Sequence, residues 1–374
     1  MTTHALRLYA GSVARRHIEQ HGLQPRDVGI VPAAAGGPKG LILGPLDRFI
    51  FGDWLPSGGH AVHLVGASIG AWRMATACLD DARAAFERLE RDYIAQHHPP
   101  PPGKKRPSPE AISEVFAGNL QTFYQGRVAE VLNHPRYRLH VIASRGRHLL
   151  HRDGALRTPL GYLGAFAANA WHRRALGAWL ERVVFSSVQD NGQGGGQGDG
   201  PDVAGLPFAT SDFRTRQVAL LEDNFMAALQ ASCSIPFMLR PVHAIEGAPP
   251  GCYWDGGITD YHLHLTYQPP PRSPIVLYPH FQQAVVPGWL DKPWRSRHRP
   301  SAALDHVLVL APDPQWVRSL PGGKLPDRND FTRFAHDPHT RMDLWGRATA
   351  EAVRLADEWA RWLERPDPAR VEAL

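Results

Sequence analysis

The sequence predicts an α/β fold in which a central, mostly parallel sheet lies between two layers of helices. Two strand–turn–helix units follow each other directly, one starting at Val28 and the next at His60. Repetition of this unit indicates parallel strands with helices packed on both faces of the sheet. The 374 residues, 43% hydrophobic and 21% charged, suffice for a large core. We therefore predict a three-layer α/β/α sandwich, with residues 1–374 as one domain.

The period of the apolar residues separates helices from strands along the chain. Glycine and proline mark several ends: Gly22 follows the first helix, and the prolines at 99–102 follow the fourth. The predicted helices are 5–21, 41–55, 69–79, 80–96, 110–132, 162–184, 224–231 and 341–363. The predicted strands are 28–35, 60–67, 137–145, 207–213, 217–223, a strand end at 253–255, 273–278 and 305–312.

Two segments are predicted as loops because their composition disfavours a single conformation. The proline-rich stretch 97–110 contains the densest basic cluster, 104–106, which we interpret as solvated, with contact to a phosphate or an anionic lipid as the alternative. The glycine-rich tract 189–201 is predicted to be a flexible surface loop, with a lid over a site as the alternative. The net charge of +5 is dispersed and lacks interleaved aromatic residues, so no nucleic-acid partner is expected.

The bulk features favour a cytoplasmic protein without metal or cofactor. The three cysteines are widely spaced and form no CxxC pair, so neither a disulfide framework nor a zinc site is indicated. No secretory signal is recognisable, and no apolar run reaches the ~18 residues of a membrane span. Within 162–184, Trp171 and Trp179 alternate with Arg173 and Arg174. Ordinary packing explains this pattern, and an interfacial face for lipid contact is the alternative.

A glycine turn, "AAGGPKG", lies between the first predicted strand of the sheet and the next helix. Glycines at such a junction let backbone N–H groups point outward together, and the helix dipole adds positive potential there. The spacing does not fit a phosphate-binding P-loop, since Leu41 stands where a hydroxyl would bind magnesium, nor does it fit a dinucleotide fingerprint. An oxyanion hole is therefore the functional interpretation, and a simple tight turn is the structural one.

Ser68 and Asp255 are the candidate reactive residues. Ser68 lies at a strand-to-helix junction in "GASIG", between Gly66 and Gly70, as expected for a nucleophile on a sharp turn. Such a serine needs a base. Asp255 ends an apolar stretch in "WDGG", where Gly256 and Gly257 allow close approach to another loop. A carboxylate in contact with the hydroxyl can take its proton if desolvation raises the carboxyl pKa.

Together and in this order, the motifs resemble those of the patatin-like phospholipases. "AAGGPKG" is similar to the family's glycine-rich loop G-G-G-x-[RK]-G, "GASIG" to its nucleophile elbow and "DGG" to its aspartate motif, and the likeness spans about 28–260. It implies a patatin-like fold with a Ser68–Asp255 dyad and no catalytic histidine. The same resemblance implies supporting glycines at the positions that complete these motifs, Gly40, Gly66, Gly70, Gly256 and Gly257.

The glycine-rich loop departs from the family pattern at two positions. Ala35 replaces the first glycine, and Pro38 offers no N–H, so the implied oxyanion donors are the amides of Gly36 and Gly37. Lys39 occupies the basic position of the motif. We expect Lys39 to brace the loop or to meet a headgroup phosphate.

The resemblance implies a lipid acyl hydrolase that cleaves carboxylic esters through an acyl-serine intermediate. A phospholipid is the expected substrate, with peripheral contact to a membrane surface. An acyltransferase using the same dyad and a non-catalytic lipid-binding relative are the alternatives. A Ser–Asp–His triad also stays open, because five histidines follow Asp255 in the required order. They are His262, His264, His280, His298 and His306.

Overall fold

The computed structural model describes residues 4–97, 99, 101, 107–188 and 203–374. In these ranges ten strands form a single sheet. They are β1 (Leu6–Ala10), β2 (Val28–Ala33), β3 (Val62–Ala67), β4 (Tyr137–Gly146), β5 (Leu180–Ser187), β6 (Thr215–Leu220), β7 (Tyr253–Asp255), β8 (Ile275–Pro279), β9 (Val307–Pro312) and β10 (Val371–Ala373).

Helices alternate with these strands along the chain. The α-helices of the described ranges are α1 (Ser12–His21), α2 (Gly44–Phe49), α3 (Ile69–Ala77), α4 (Ala82–Ala95), α5 (Pro109–Tyr124), α6 (Val128–Leu132), α7 (Arg157–Trp171), α8 (Glu222–Cys233), α9 (Pro314–Ser319), α10 (Asn329–Arg333), α11 (Pro338–Glu351) and α12 (Val353–Glu364). Short 3-10 segments include Gly37–Leu43, Arg173–Ala178 and Gly256–Ile258, and Ile50–Trp54 is a π-helical turn.

The strand order is β10-β1-β9-β8-β2-β3-β4-β5-β6, and β7 pairs with β4 off this path. Pairing is parallel except between β1 and β9, β4 and β5, and β4 and β7. Strands β2, β5, β8 and β9 are buried along their whole length, as in a sheet covered on both faces. The predicted α/β/α sandwich with a mostly parallel sheet is therefore confirmed.

The two largest errors of the sequence prediction are strands that were assigned to helices. Residues Leu6–Ala10 form β1, which pairs with β9 and β10, and the first helix begins only at Ser12. Likewise α7 ends at Trp171, and Leu180–Ser187 is β5. Both segments are short and have apolar residues at spacings that fit either period, and pairing with strands distant in sequence decides their conformation.

Other differences concern boundaries. The predicted strand 207–213 is wrong, because only a single bridge joins Phe208 to Tyr267 there. The predicted helix 110–132 is interrupted at Gly126, whose φ of +73° cannot continue a helix. The predicted helix 341–363 is two helices, α11 and α12, and 41–55 is a series of short helical turns. Helix α5 begins at Pro109, inside the predicted proline-rich loop. The basic cluster 104–106 and the tract 189–201 lie outside the described residues.

The sheet brings Ser68 and Asp255 together through an end-to-end meeting of two strands. Strand β4 pairs with β5 along one edge. Along its other edge β3 runs parallel to it and stops with Ala67 opposite Ile142, while β7 runs antiparallel and stops with Asp255 opposite Ala143. The two strands thus approach each other from opposite directions and end at consecutive positions of β4. Asp255 ends β7 and Ser68 directly follows β3, so both lie at that junction.

Within the described ranges, every helix falls short of the length and apolarity that a transmembrane span requires.

Candidate active site

Ser68 occupies a sharp turn between β3 and α3, and its backbone has φ +56° and ψ −130°. A non-glycine residue in this region is strained, and such strain recurs at functional sites. The turn is possible because its neighbours lack side chains. A Cβ added at Gly66 would lie 2.4 Å from the Cα of Ala71, and one at Gly70 would lie 1.9 Å from the carbonyl oxygen of Ala33. Both glycines are therefore required by close backbone contacts.

The Ser68 hydroxyl donates a hydrogen bond of 2.7 Å to Oδ2 of Asp255. The other carboxylate oxygen, Oδ1, accepts from the backbone N–H of Gly257 at 2.7 Å, which fixes the orientation of the carboxylate. Both side chains are buried. Burial raises the pKa of the Asp255 carboxyl above its ordinary value, and the Ser68 hydrogen bond and the charge of Arg328 oppose this rise. The predicted contact between the hydroxyl and the carboxylate is present.

A second serine, Ser232, holds the backbone of the turn. Its hydroxyl accepts the N–H of Ser68 at 2.9 Å and donates to the carbonyl of Ile142 at 2.6 Å. Nearby, the N–H of Asp255 donates to the carbonyl of Ser234 at 2.9 Å. The end of α8 therefore positions both reactive residues. The sequence analysis missed Ser232 as a positioning residue, and its place in "ASCSIP" just before the break in the helix is the one signal that pointed to it.

Buried ion pairs anchor the segments that carry the two residues. In α3, the Arg73 guanidinium makes two hydrogen bonds of 2.7 Å to Asp47. In β5, Arg182 makes two hydrogen bonds, of 2.8 and 2.6 Å, to Asp260, which lies five residues after Asp255. Bidentate pairs of this kind restrict rotation as well as position. Ser68 and Asp255 thus each lie close in sequence to a residue that is fixed by a buried ion pair.

The glycine loop lies beside Ser68. Gly37 has φ +57° and lines the same cavity as Ser68, whereas Gly36 packs against the Phe281 ring, where an added Cβ would be 2.6 Å from Cε1. Gly37 and Ile69 are each the first residue of a helical segment, a position whose N–H has no intrahelical acceptor. The sequence predicts Gly36 and Gly37 as donors, and the structure adds the amide of Ile69 as a further candidate.

The remaining motif glycines allow the three loops to pack closely. A Cβ at Gly256 would lie 2.0 Å from the carbonyl oxygen of Ile142, and one at Gly257 would lie 2.6 Å from the Cβ of Ala35. A Cβ at Gly40 would lie 3.3 Å from the Ile69 side chain, so this position is closely packed as well. In addition, the N–H of Ala35 donates to the carbonyl of Tyr261 at 2.9 Å, which ties the glycine loop to the segment after Asp255.

Lys39 lies over the Phe281 ring, with its Nζ 5.2 Å from the ring centroid. Because this ring also packs on Gly36, Lys39 contacts the glycine loop through Phe281. Partial burial lowers the pKa of the Lys39 ammonium; the negative charge of Asp327 opposes this shift, and the positive charges of Arg328 and Lys324 reinforce it. These contacts agree with a bracing role, and the headgroup contact stays a prediction.

A cavity of about 710 Å³ opens at Ser68, within the range of about 300–1,000 Å³ typical of small-molecule sites. Most of its lining is apolar. The large apolar side chains of the lining are Ile69, Trp72, Ile112, Phe116, Ile235, Phe237, Met238, Leu239, Phe331 and Phe334. A smaller recess, which Arg328 also lines, joins Ser68 to Asp255 and Tyr261. Arg328 lies far beyond the motif-bearing segment 28–260, so no motif pointed to it.

Among the described residues, no histidine hydrogen-bonds to Ser68 or Asp255. The Nδ1 of His262 contacts the carbonyl of Ala284, and that of His280 contacts the carbonyl of Gln282. His264, His298 and His306 also contact groups outside the site. Burial lowers the pKa of His280 to about 3, so its ring is neutral in the core. The carboxylate of Asp255 thus occupies the place that an imidazole would take in a triad.

Compared with models of protein families and with curated proteins, the sequence matches none significantly. In the part of the chain that the structure describes, no group of three or more His, Cys, Asp or Glu side chains is arranged to hold a metal ion.

Proposed function

We propose that the protein is a lipid acyl hydrolase that uses Ser68 as nucleophile and Asp255 as base. The observation that carries the proposal is the 2.7 Å hydrogen bond between the two buried side chains, together with the apolar cavity that Ser68 lines. A hydroxyl on a strained turn, in contact with an oriented carboxylate, is the arrangement that nucleophilic acyl transfer needs. This agrees with the resemblance of the three motifs to those of patatin-like phospholipases.

In the proposed reaction, Ser68 Oγ attacks the ester carbonyl carbon while Asp255 accepts the hydroxyl proton. The tetrahedral intermediate collapses, the bond to the leaving alcohol breaks, and Asp255 returns the proton to that alcohol. Water then attacks the acyl-serine, Asp255 accepts its proton, and the carboxylic acid leaves as Ser68 regains the proton. The raised pKa of Asp255 favours the two transfers in which it accepts a proton, from Ser68 and from water, because a more basic carboxylate is a better proton acceptor.

The oxyanion formed in each step requires hydrogen-bond donors beside Ser68. The amide of Gly37 and the amide of Ile69, at the start of α3, are the best placed because both residues line the cavity with Ser68. Gly36, the other donor expected from the sequence, packs on Phe281 and does not line that cavity. We therefore propose Gly37 and Ile69 as the principal donors, and the role of Gly36 stays a prediction.

Unpaired positive charge beside the site favours a phospholipid over a neutral ester as substrate. In the described part of the chain, the side chains of Lys39, Lys292 and Arg328 make no hydrogen bond or ion pair. Arg328 Nε is 3.6 Å from the point where a Cβ on Gly37 would lie, and Lys292 Nζ is 3.9 Å from the centroid of Tyr261, which lines the recess. Burial and the positive charges of Arg328 and Lys39 lower the pKa of Lys292 to about 7, and a substrate phosphate would offset this repulsion and favour the charged form of Lys292.

Covalent labelling tests the proposal directly. A fluorophosphonate probe should attach to Ser68, with the modified peptide identified by mass spectrometry, and Ser68→Ala should prevent labelling. Incubation of wild type and Ser68→Ala with phospholipid vesicles, followed by lipid analysis, should show free fatty acid only with wild type. Failure to label Ser68 in the folded protein would favour the non-catalytic lipid-binding alternative. Acyl esters formed from an added alcohol would favour the acyltransferase.

The pH dependence should report the charge of Arg328. Asp255 acts as base only when ionised, so kcat/KM should fall as pH decreases through its raised pKa. The positive charge of Arg328 lowers that pKa, and Arg328→Gln should therefore move the acidic limb to higher pH. The measurement is a pH profile of kcat/KM with a neutral p-nitrophenyl ester. Arg318→Gln, at an exposed position on α9, is the control and should leave the limb in place. A limb that stays fixed or moves to lower pH in Arg328→Gln would contradict the assignment of Asp255 as base.

A further inference from the structure

The face of α7 that points to solvent is apolar. Its buried positions are Thr158, Gly161, Tyr162, Ala165 and Asn169. The exposed positions are Arg157, Pro159, Leu160, Leu163, Phe166, Ala167 and Trp171, and six of these seven are apolar. Leu163 is 64% exposed and Trp171 is 85% exposed. An ordinary surface helix has a polar outer face, whereas the described residues leave the large apolar side chains of this face exposed.

Arginines border this face at both ends. Arg152 and Arg157 lie near the beginning of α7 and Arg174 lies just beyond its end, all three exposed. Within the described residues none of the three forms an ion pair, whereas the nearby acid, Asp153, is already bound by Arg240. An apolar helix face with a basic rim is complementary to the surface of a membrane that contains anionic lipid.

One end of the cavity lining at Ser68 contacts α7. Phe237 and Met238 line that cavity and are 55% and 38% exposed. The Phe237 ring packs edge-on against Tyr162 of α7, with 5.6 Å between centroids. Phe237 also holds a left-handed backbone with φ +67°, a strained conformation for a bulky side chain. Tyr162 immediately precedes Leu163 in this helix, so the cavity entrance adjoins α7.

We propose that the outer face of α7 docks on the surface of an anionic lipid bilayer, with Leu160, Leu163 and Trp171 inserted among the headgroups. In this orientation Phe237 and Met238 face the bilayer, and a lipid can enter the cavity without crossing water. The docking goes beyond the proposed hydrolysis and does not depend on it, because it requires neither Ser68 nor Asp255.

Vesicle flotation with the full chain carrying Ser68→Ala tests the docking without lipid turnover. The vesicles contain about three parts phosphatidylcholine to one part phosphatidylglycerol, so that their surface is anionic. The parent protein should float with them. Leu160→Ser combined with Leu163→Ser should lower the partition coefficient about tenfold or more, because two leucines no longer leave water. Arg157→Gln combined with Arg174→Gln should weaken binding and reduce its sensitivity to salt.

Val353→Ser on α12 is the matched control, since Val353 is also exposed and apolar but lies on another helix. It should bind vesicles as the parent does. Equal binding by the Leu160/Leu163 variant, with its circular dichroism unchanged, would overturn the proposal. So would a parent that elutes as a dimer when the Leu160/Leu163 variant elutes as a monomer, because the face would then contact a second copy of the chain.

Discussion

Ser68→Ala is expected to lower kcat for ester hydrolysis by at least about 10⁴-fold, because the reaction then loses its covalent intermediate. Asp255→Asn should lower kcat by about 10³- to 10⁴-fold, because the amide cannot take the proton of the hydroxyl. The measurement is kcat with p-nitrophenyl butyrate for each variant. The double variant should be no less active than the worse single variant, since the two residues act as a unit.

Neither variant should unfold the protein. In Asp255→Asn, the amide oxygen can still accept the Gly257 N–H that now binds Oδ1, and the amide nitrogen can donate to Ser68 Oγ. The substitution also removes a charge from a buried position, so the free energy of unfolding should not decrease. Asp343→Asn is the control, because Asp343 lies at the surface of α11. Loss of a residue from a Ser-His-Asp triad lowers kcat by about 10⁴-fold. A Ser68→Ala or Asp255→Asn variant that keeps more than about a tenth of wild-type kcat would therefore refute the dyad. A folded but inactive His262→Asn would restore the histidine alternative.

The contact at the centre of this prediction was accessible from the sequence only through its motifs. Local pattern places Ser68 after a strand and Asp255 at a strand end, and these assignments are right. The local pattern carries no information about the antiparallel pairing of β7 with β4. This pairing brings the two residues together although they are far apart in the sequence. That pairing depends on tertiary packing, as does the strand β1, which the same local pattern assigned to a helix.

The parts of the site that the sequence did not predict are those without a motif. Arg328 reaches the cavity from the segment before α10, and the Ile69 amide is a backbone group that no residue type reveals. Similarly, the buried positions of α7 follow helical spacing, but its apolar outer face became evident only when the neighbouring packing was known. The motif glycines were predictable because each close backbone approach excludes every larger residue.

Gly70→Ala is expected to lower the free energy of unfolding by about 3 kcal/mol, which is at the upper end of ordinary overpacking costs. The added Cβ would lie 1.9 Å from the carbonyl oxygen of Ala33 and 2.8 Å from that of Ala34. These are backbone atoms at the end of β2, so they cannot move aside as a flexible side chain would. The collision must shift α3 or the glycine loop. Since a displacement of about 1 Å at a reacting group can cost about 10²-fold in rate, kcat should fall as well.

Gly118→Ala provides the same substitution without the collision, because Gly118 lies within α5 and no atom lies within 4 Å of its added Cβ. Alanine is the better helix former, so this variant should gain about 0.5–1 kcal/mol and keep full activity. Thermal unfolding and kcat, measured side by side, separate the two effects. The same substitution is expected to lower the free energy of unfolding at Gly70 and to raise it at Gly118. This difference would identify the contact between α3 and β2 as the cause. If Gly70→Ala were as stable and active as Gly118→Ala, the glycine loop and the Ser68 turn could not be packed as closely as the nucleophile requires.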